Sequence, residues 1–354
     1  MHATDRRLSG PGTRRAALAA AAATLAGVAL RPAGALAQAQ APAPAAPAPR
    51  RARLRLAGPP AAVSFPLMRL VETGALAPLA EQVSFTLWKD PDQLRALVLG
   101  GQADVVALPS NVAANLYNRG VKLRLLNLAT WGVLWLVSRD AGATTLADFK
   151  GREIAMPFRA DMPDLVFRLL AQRSRLELPR DIRLRYVGTP LDAMQLLITR
   201  RVDHALLAEP AVSMALRKTR SFPVSLIAPD LHRSVDLQQE WGRLYRREPR
   251  IPQAGLALLP ALRDDTALAA ALQTHYAAAL ADCEARPEAC GATVVAQAPV
   301  LEASAVADSV RADNARFATA AQARPELEFF FNELMRLDPG MVGGKLPEAD
   351  FYFG

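Results

Sequence analysis

The sequence is poor in the side chains that most catalytic chemistry uses. It holds two cysteines and four histidines in 354 residues. His204, His232 and His275 are far apart and form no metal-ligand spacing such as His-Glu-x-x-His. A Gly-x-Ser-x-Gly nucleophile elbow is absent, as is a phosphate-binding Gly-x-x-x-x-Gly-Lys-Ser/Thr loop. No catalytic residue, metal or cofactor is therefore expected. Aromatic residues make up 6% of the chain, and no basic stripe is interleaved with them, which argues against a nucleic-acid partner. Apolar runs of membrane-spanning length are also missing, since a span needs roughly 20 residues.

What is present begins with a leader. Arg14-Arg15 precede an apolar run from Ala16 to Leu30, and Ala35-Leu36-Ala37 offers small residues for cleavage before Gln38. Residues 1–37 read as a secretory signal peptide. Thr13-Arg14-Arg15-Ala16-Ala17-Leu18 also resembles a twin-arginine signal, but Ala17 stands where a bulky apolar residue is usual. The general secretory and twin-arginine routes both stay open, and the expected location is the periplasm. Half of the net charge of +8 lies in this leader, where five arginines face Asp5.

Export implies an oxidising compartment, so a disulfide between Cys283 and Cys290 is expected. One straight helix would hold their Cα atoms about 10.5 Å apart, beyond the roughly 7 Å limit. Pro287 between them predicts a break that brings them together.

Residues 38–50 are a Pro/Ala-rich linker that cannot build a core. Order is expected from Arg51. Strands over 51–58, 83–88 and 105–108 alternate with helices over 65–73 and 90–99. Asp90 is a helix cap with Pro91 in the first turn. This βαβαβ grammar predicts a parallel sheet covered by helices. A second α/β unit follows, with strands over 133–138, 153–156, 182–187 and 204–207 and helices over 161–173, 190–199 and 210–217. Beyond a strand at 254–259, helices are expected over 262–281, near 300–308 and over 326–335.

The most informative stretch is Asp104 to Gly132. A short apolar strand ends in Pro109-Ser110-Asn111, a helix runs to about Tyr117, Gly120 stops it, and a second strand follows. Ser110 or Asn111 is a suitable N-cap, and such a helix start directs backbone N–H groups at one spot.

Three segments resemble the periplasmic substrate-binding proteins of ABC importers, in the nitrate/sulfonate/taurine group that also includes proteins like the thiamine-pyrimidine precursor synthase. They are Asp92 through Val105 with Leu108-Pro109-Ser110-Asn111 and Leu116 to Gly120; Leu146 through Ala155 with Pro157 and Pro163-Asp164; and Gly343-Gly344-Lys345-Leu346-Pro347 with Phe351-Tyr352. The resemblance implies a two-lobed α/β fold of the periplasmic-binding-protein type, with a hinge and a ligand cleft between lobes. Lobe one would hold 51–137 plus 250–354, and lobe two 138–249. It implies a monomer that captures a small organic ligand, sulfonate-, nitrate- or pyrimidine-like, and delivers it to an ABC permease in the inner membrane. A sensor that reports ligand to a membrane receptor and an exported precursor-synthase-like enzyme are the alternatives.

Loop position and the resemblance together nominate the ligand contacts. Ser64 and Phe65 follow the first strand, where a helix cap and a core aromatic are equal readings. Pro109, Ser110 and Asn111 follow the third. Trp131 is either a stacking surface or a buried hinge residue. Arg159, Ala160, Asp161 and Met162 occupy a loop where relatives have small residues, and Asp161 also suits an N-cap. Glu209 ends another strand. Asp161 disfavours a bare anion unless Arg159 compensates it, and Glu209 hints at a ligand with a cationic or hydrogen-bond-donating part.

Overall fold

A computed structural model describes residues 50–223, 226, 230–312 and 315–354. The signal peptide and residues 38–49 of the linker lie outside the described residues.

Each strand and helix follows from local chemistry. Strand β1 (Arg51–Gly58) buries Leu54 and Leu56 while the arginines between them face out. Arg55 is clipped to the buried Asp104, with Nη2 to Oδ1 at 2.7 Å and the backbone N–H to Oδ2 at 2.8 Å. That clip sets β1 beside β3 (Val105–Pro109). Helix α1 (Phe65–Glu72) leads to β2 (Ala80–Leu87). Helix α2 (Pro91–Leu99) starts as its sequence requires: Asp90 accepts from the Asp92 and Gln93 amides, and Pro91 needs no acceptor.

Helix α3 (Ser110–Asn118) starts differently from expectation. Pro109 holds the N-cap position in extended conformation, and neither Ser110 nor Asn111 caps the helix. Ser110 is already helical, and its hydroxyl donates to the Pro252 carbonyl at 2.6 Å. Strand β4 (Arg124–Thr130) follows, and the chain then crosses to a second sheet.

That sheet begins with β5 (Leu134–Ser138). Its next members are β6 (Glu153–Pro157), β7 (Arg183–Val187) and β8 (His204–Ala208). Helices α4 (Met162–Arg173), α5 (Pro190–Ile198) and α6 (Ala211–Arg220) follow β6, β7 and β8 respectively. Strand β9 (His232–Asp236) and helix α7 (Leu237–Tyr245) were not expected, because His-Arg-Ser-Val-Asp carries no apolar alternation. The chain returns to the first sheet at β10 (Ala254–Leu258). It closes with α8 (Thr266–Ala285), α9 (Pro287–Gln297), α10 (Ala303–Ala312), β11 (Ala318–Thr319) and α11 (Ala320–Leu337).

The first sheet has the order β11-β4-β10-β3-β1-β2, and the second β7-β6-β8-β5-β9. In the first, β1 runs parallel to β2 and β3, whereas β10 is antiparallel to β3 and β4. In the second, β6 runs parallel to β7 and β8, whereas β5 is antiparallel to β8 and β9. In both sheets the antiparallel insert is the strand reached directly by a crossing. The fold is thus a two-lobed α/β structure. The expected lobe boundary at 137/138 left β5 with the first lobe; instead it pairs along its whole length with β8, so the first crossing falls at 131–133.

The two crossings are bonded to each other. Ile251 N–H donates to the Trp131 carbonyl at 2.6 Å, and Gln253 N–H to the Thr130 carbonyl at 3.0 Å. Gly132 between them has φ +152°, and a Cβ there would lie 1.8 Å from Gln238 Cγ, so the crossing needs glycine. Cys283 and Cys290 form a disulfide with Cα atoms 5.0 Å apart. Helix α8 ends at Ala285 and α9 restarts at Pro287, and this break supplies the approach that one straight helix forbids.

Candidate functional site

Prolines at strand ends turn the chain toward one place. The C-terminal ends of the parallel strands of both sheets, with the loops that follow, surround a cavity of about 400 Å³. This is where open α/β sheets place ligands, and the volume falls in the range of small-molecule sites. From the first sheet come the loop 59–63, Trp88, Lys89 and Pro109; from the second come Phe158, the loop 161–163, Thr189 and Glu209. Thr130, Val133, Gln253 and Ala254, at the paired crossings, close one side. The lining is mostly proline and aliphatic carbon, with a few polar groups set into it.

Of the residues nominated from the sequence, Pro109, Asp161, Met162 and Glu209 line this cavity. The rest lie elsewhere. Ser64 is fully buried against Gly58, and its Oγ has no partner among the described residues. Phe65 is core and borders a small separate pocket beside Cys283. Ser110 is turned away by its bond to Pro252, and its amide donates to the Gln253 carbonyl at 2.8 Å. Asn111 is buried beside it. Trp131 is a hinge residue: its Nε1 donates to the Arg316 carbonyl at 2.6 Å, and Arg250 lies over its ring. Arg159 is exposed and its guanidinium sits 5.2 Å from the Tyr186 ring centre, so it does not neutralise Asp161.

The 158–161 loop is held in an unusual backbone. Phe158 and Ala160 have φ of +55° and +60°, which costs on the order of 1 kcal/mol each for a residue with a side chain. Asp164, fully buried, accepts from the Ala160 amide at 2.8 Å and is itself held by Arg168 and the Tyr186 hydroxyl. Its role is to fix the loop that carries Asp161. Asp161 caps α4 through the Met162 amide at 2.7 Å. Burial pushes its carboxyl up to about 6, against the lowering effects of that amide and of Arg95. Glu209 is also buried, but Arg233 pairs with its Oε1 and the Ser213 amide donates to its Oε2 at 3.1 Å.

Gln253 escaped sequence reasoning. It is buried at the return crossing, its Oε1 accepts from the Val133 amide at 2.9 Å, and its Nε2 makes no hydrogen bond among the described residues. Only its place just before a strand could have flagged it. His204, in contrast, lies against Ser138 and Phe149 in the second sheet and does not line the cavity. Among the described residues, no group of three or more His, Cys, Asp or Glu side chains is placed to hold a metal.

No protein-family model and no curated protein matches the sequence. Solved structures match the fold. An ABC transporter protein from Parabacteroides distasonis is 22% identical, with a TM-score of 0.70 over 85% of this chain and 98% of its own. The periplasmic aliphatic sulphonate binding protein SsuA from Escherichia coli is 17% identical, with a TM-score of 0.63 over 84% of this chain and 92% of its own. The periplasmic nitrate-binding protein NrtA from Synechocystis is 14% identical, with a TM-score of 0.64 over 82% of this chain and 83% of its own. The chain therefore has the fold of these periplasmic binding proteins.

Proposed function

We propose that this protein is the solute-binding component of an ABC importer, working in the periplasm as a monomer. It captures a small organic ligand between its two lobes and delivers it to a permease in the inner membrane. The observation that carries this reading is the cavity itself, walled by strand ends of both sheets and closed by two hydrogen-bonded crossings. Two crossings give a hinge, and a ligand that touches both walls binds the closed state better than the open one. The signal peptide expected over residues 1–37 and the fold shared with a sulphonate-binding and a nitrate-binding protein agree with it. In this reading the lobes are residues 51–133 with 250–354, and 134–249, and the ligand contacts are Pro109, Asp161, Met162, Glu209 and Gln253.

A thermal-shift screen of the purified protein tests it, using sulfonates, nitrate, pyrimidines, aromatic acids and amines. A true ligand at 100 times its Kd adds about 2.7 kcal/mol and raises Tm visibly. One chemical class is expected to do so. Indifference to every class would count against a solute-binding role.

A further inference from the structure

We infer, resting on the solute-binding reading above, that the cavity selects an apolar amine: a small alkyl or aryl body with a protonated nitrogen set against Asp161. The oxyanions that some proteins of this fold bind are excluded by the same groups.

The first observation is the inventory of helix starts. An oxyanion site in such a cleft relies on free backbone N–H groups and the positive end of the helix dipole. Here α2, α4, α5 and α6 all begin at the cavity, and each carries its own acid there. Asp90 consumes the Asp92 and Gln93 amides of α2. Asp161 consumes the Met162 amide of α4, and Pro163 has no N–H to offer. Pro190 removes another donor from α5, whose first turn also holds Asp192. Glu209 takes the Ser213 amide of α6. The fifth start, α3, gives its first amide to the Gln253 carbonyl.

The second observation is charge. Among the described residues lining the cavity, the one basic residue is Lys89, and it is exposed at the rim. The acids are deep. Asp161 is 5% exposed, and its Oδ2 has no hydrogen-bond partner among the described residues. Arg95 on α2 bears on it from a distance; the cavity lining also carries Lys89 at the rim, Asp192 on α5 and Glu209, which follows β8 and pairs with Arg233 of β9. None of them forms an ion pair with Asp161. A buried carboxylate without a cation is costly, and a ligand cation is the group that would relieve that cost. Gln253 Nε2 adds one donor at the paired crossings, suited to an acceptor atom on the ligand. The remaining lining is apolar and favours a hydrocarbon body.

The test is a calorimetric series at pH 7.5 on a shared scaffold: benzylamine, benzyl alcohol and phenylmethanesulfonate, with phenethylamine and hexylamine to vary the body. An amine should bind at least about ten-fold tighter than the alcohol, with the sulfonate weakest. Asp161→Asn should lower amine affinity about 10- to 100-fold, the range of one hydrogen bond to a charged group, and leave the alcohol unchanged. Asparagine caps a helix as well as aspartate, so a cooperative melt of the variant shows that the fold is kept. A sulfonate binding as tightly as the amines, or an amine preference that survives Asp161→Asn, overturns the inference. If the screen yields an anion and no amine binds, the amine specificity falls while solute binding stands. If nothing binds in either experiment, both fall.

Discussion

Arg233 closes over the buried carboxylate of Glu209: its Nη2 donates to Oε1 and, at 3.1 Å, to the Ser213 hydroxyl, while its guanidinium lies above the Trp135 ring. Glu209 is 2% exposed, so of the two buried acids at the cavity this is the one with a cation beside it. Removing one partner of a buried pair costs about 3–5 kcal/mol. The Arg233 side chain is 31% exposed, so about 2–3 kcal/mol is expected for Arg233→Met. Adding Glu209→Gln should recover most of it. Urea unfolding of the two variants checks both numbers.

Asp161 differs, because it is buried and forms no ion pair among the described residues. Its folded carboxyl titrates at about 6, above the unfolded value near 4. The protonated form is thus favoured by folding. The associated stability is fully present below about pH 4 and is lost as pH rises through about 6, by at most about 3 kcal/mol. Asp161→Asn should therefore raise the Tm of the ligand-free protein at pH 7.5 and give no gain at pH 4. A Tm difference independent of pH would contradict the burial argument.

The strand ends and the acids at them were legible in the sequence. Apolar runs ending in Pro109 and Glu209-Pro210 marked the cavity wall, and Asp90-Pro91 marked a helix start that formed as written. The side on which each loop residue falls was not legible. Ser110 is taken by Pro252 across 142 positions, a pairing that exists only once β10 returns beside β3. Trp131 was open between ligand and hinge, and the Arg316 carbonyl decides for the hinge. Helix α11 begins at Ala320, earlier than the expected start at 326, because Thr319 and Gln322 form a capping box.

The crossing at Gly132 should be intolerant of any side chain. Gln238 packs over it and also bonds Leu134 N–H at 3.2 Å and Asp236 at 2.8 Å. Gly132→Ala must displace Gln238 and break those bonds. A loss of about 2–4 kcal/mol is expected, read from chemical denaturation.

The disulfide closes a short loop, Cys283 and Cys290 being seven positions apart. Loop-closure entropy for that length gives about 2–3 kcal/mol. Reduction should lower the urea midpoint by the matching amount without abolishing the cooperative transition. An unchanged midpoint would mean the packing of α8 on α9 holds the turn without the bond.

The most direct measurement fills the cavity. Ala61 lines it from the loop after β1 and is partly exposed, so a large ring can enter the space without crossing the core. The affinity of Ala61→Trp for whichever ligand the screen finds should fall by about 100-fold or more, with an unchanged or higher Tm in the absence of ligand. Full affinity in Ala61→Trp would place the binding site elsewhere and contradict the central claim.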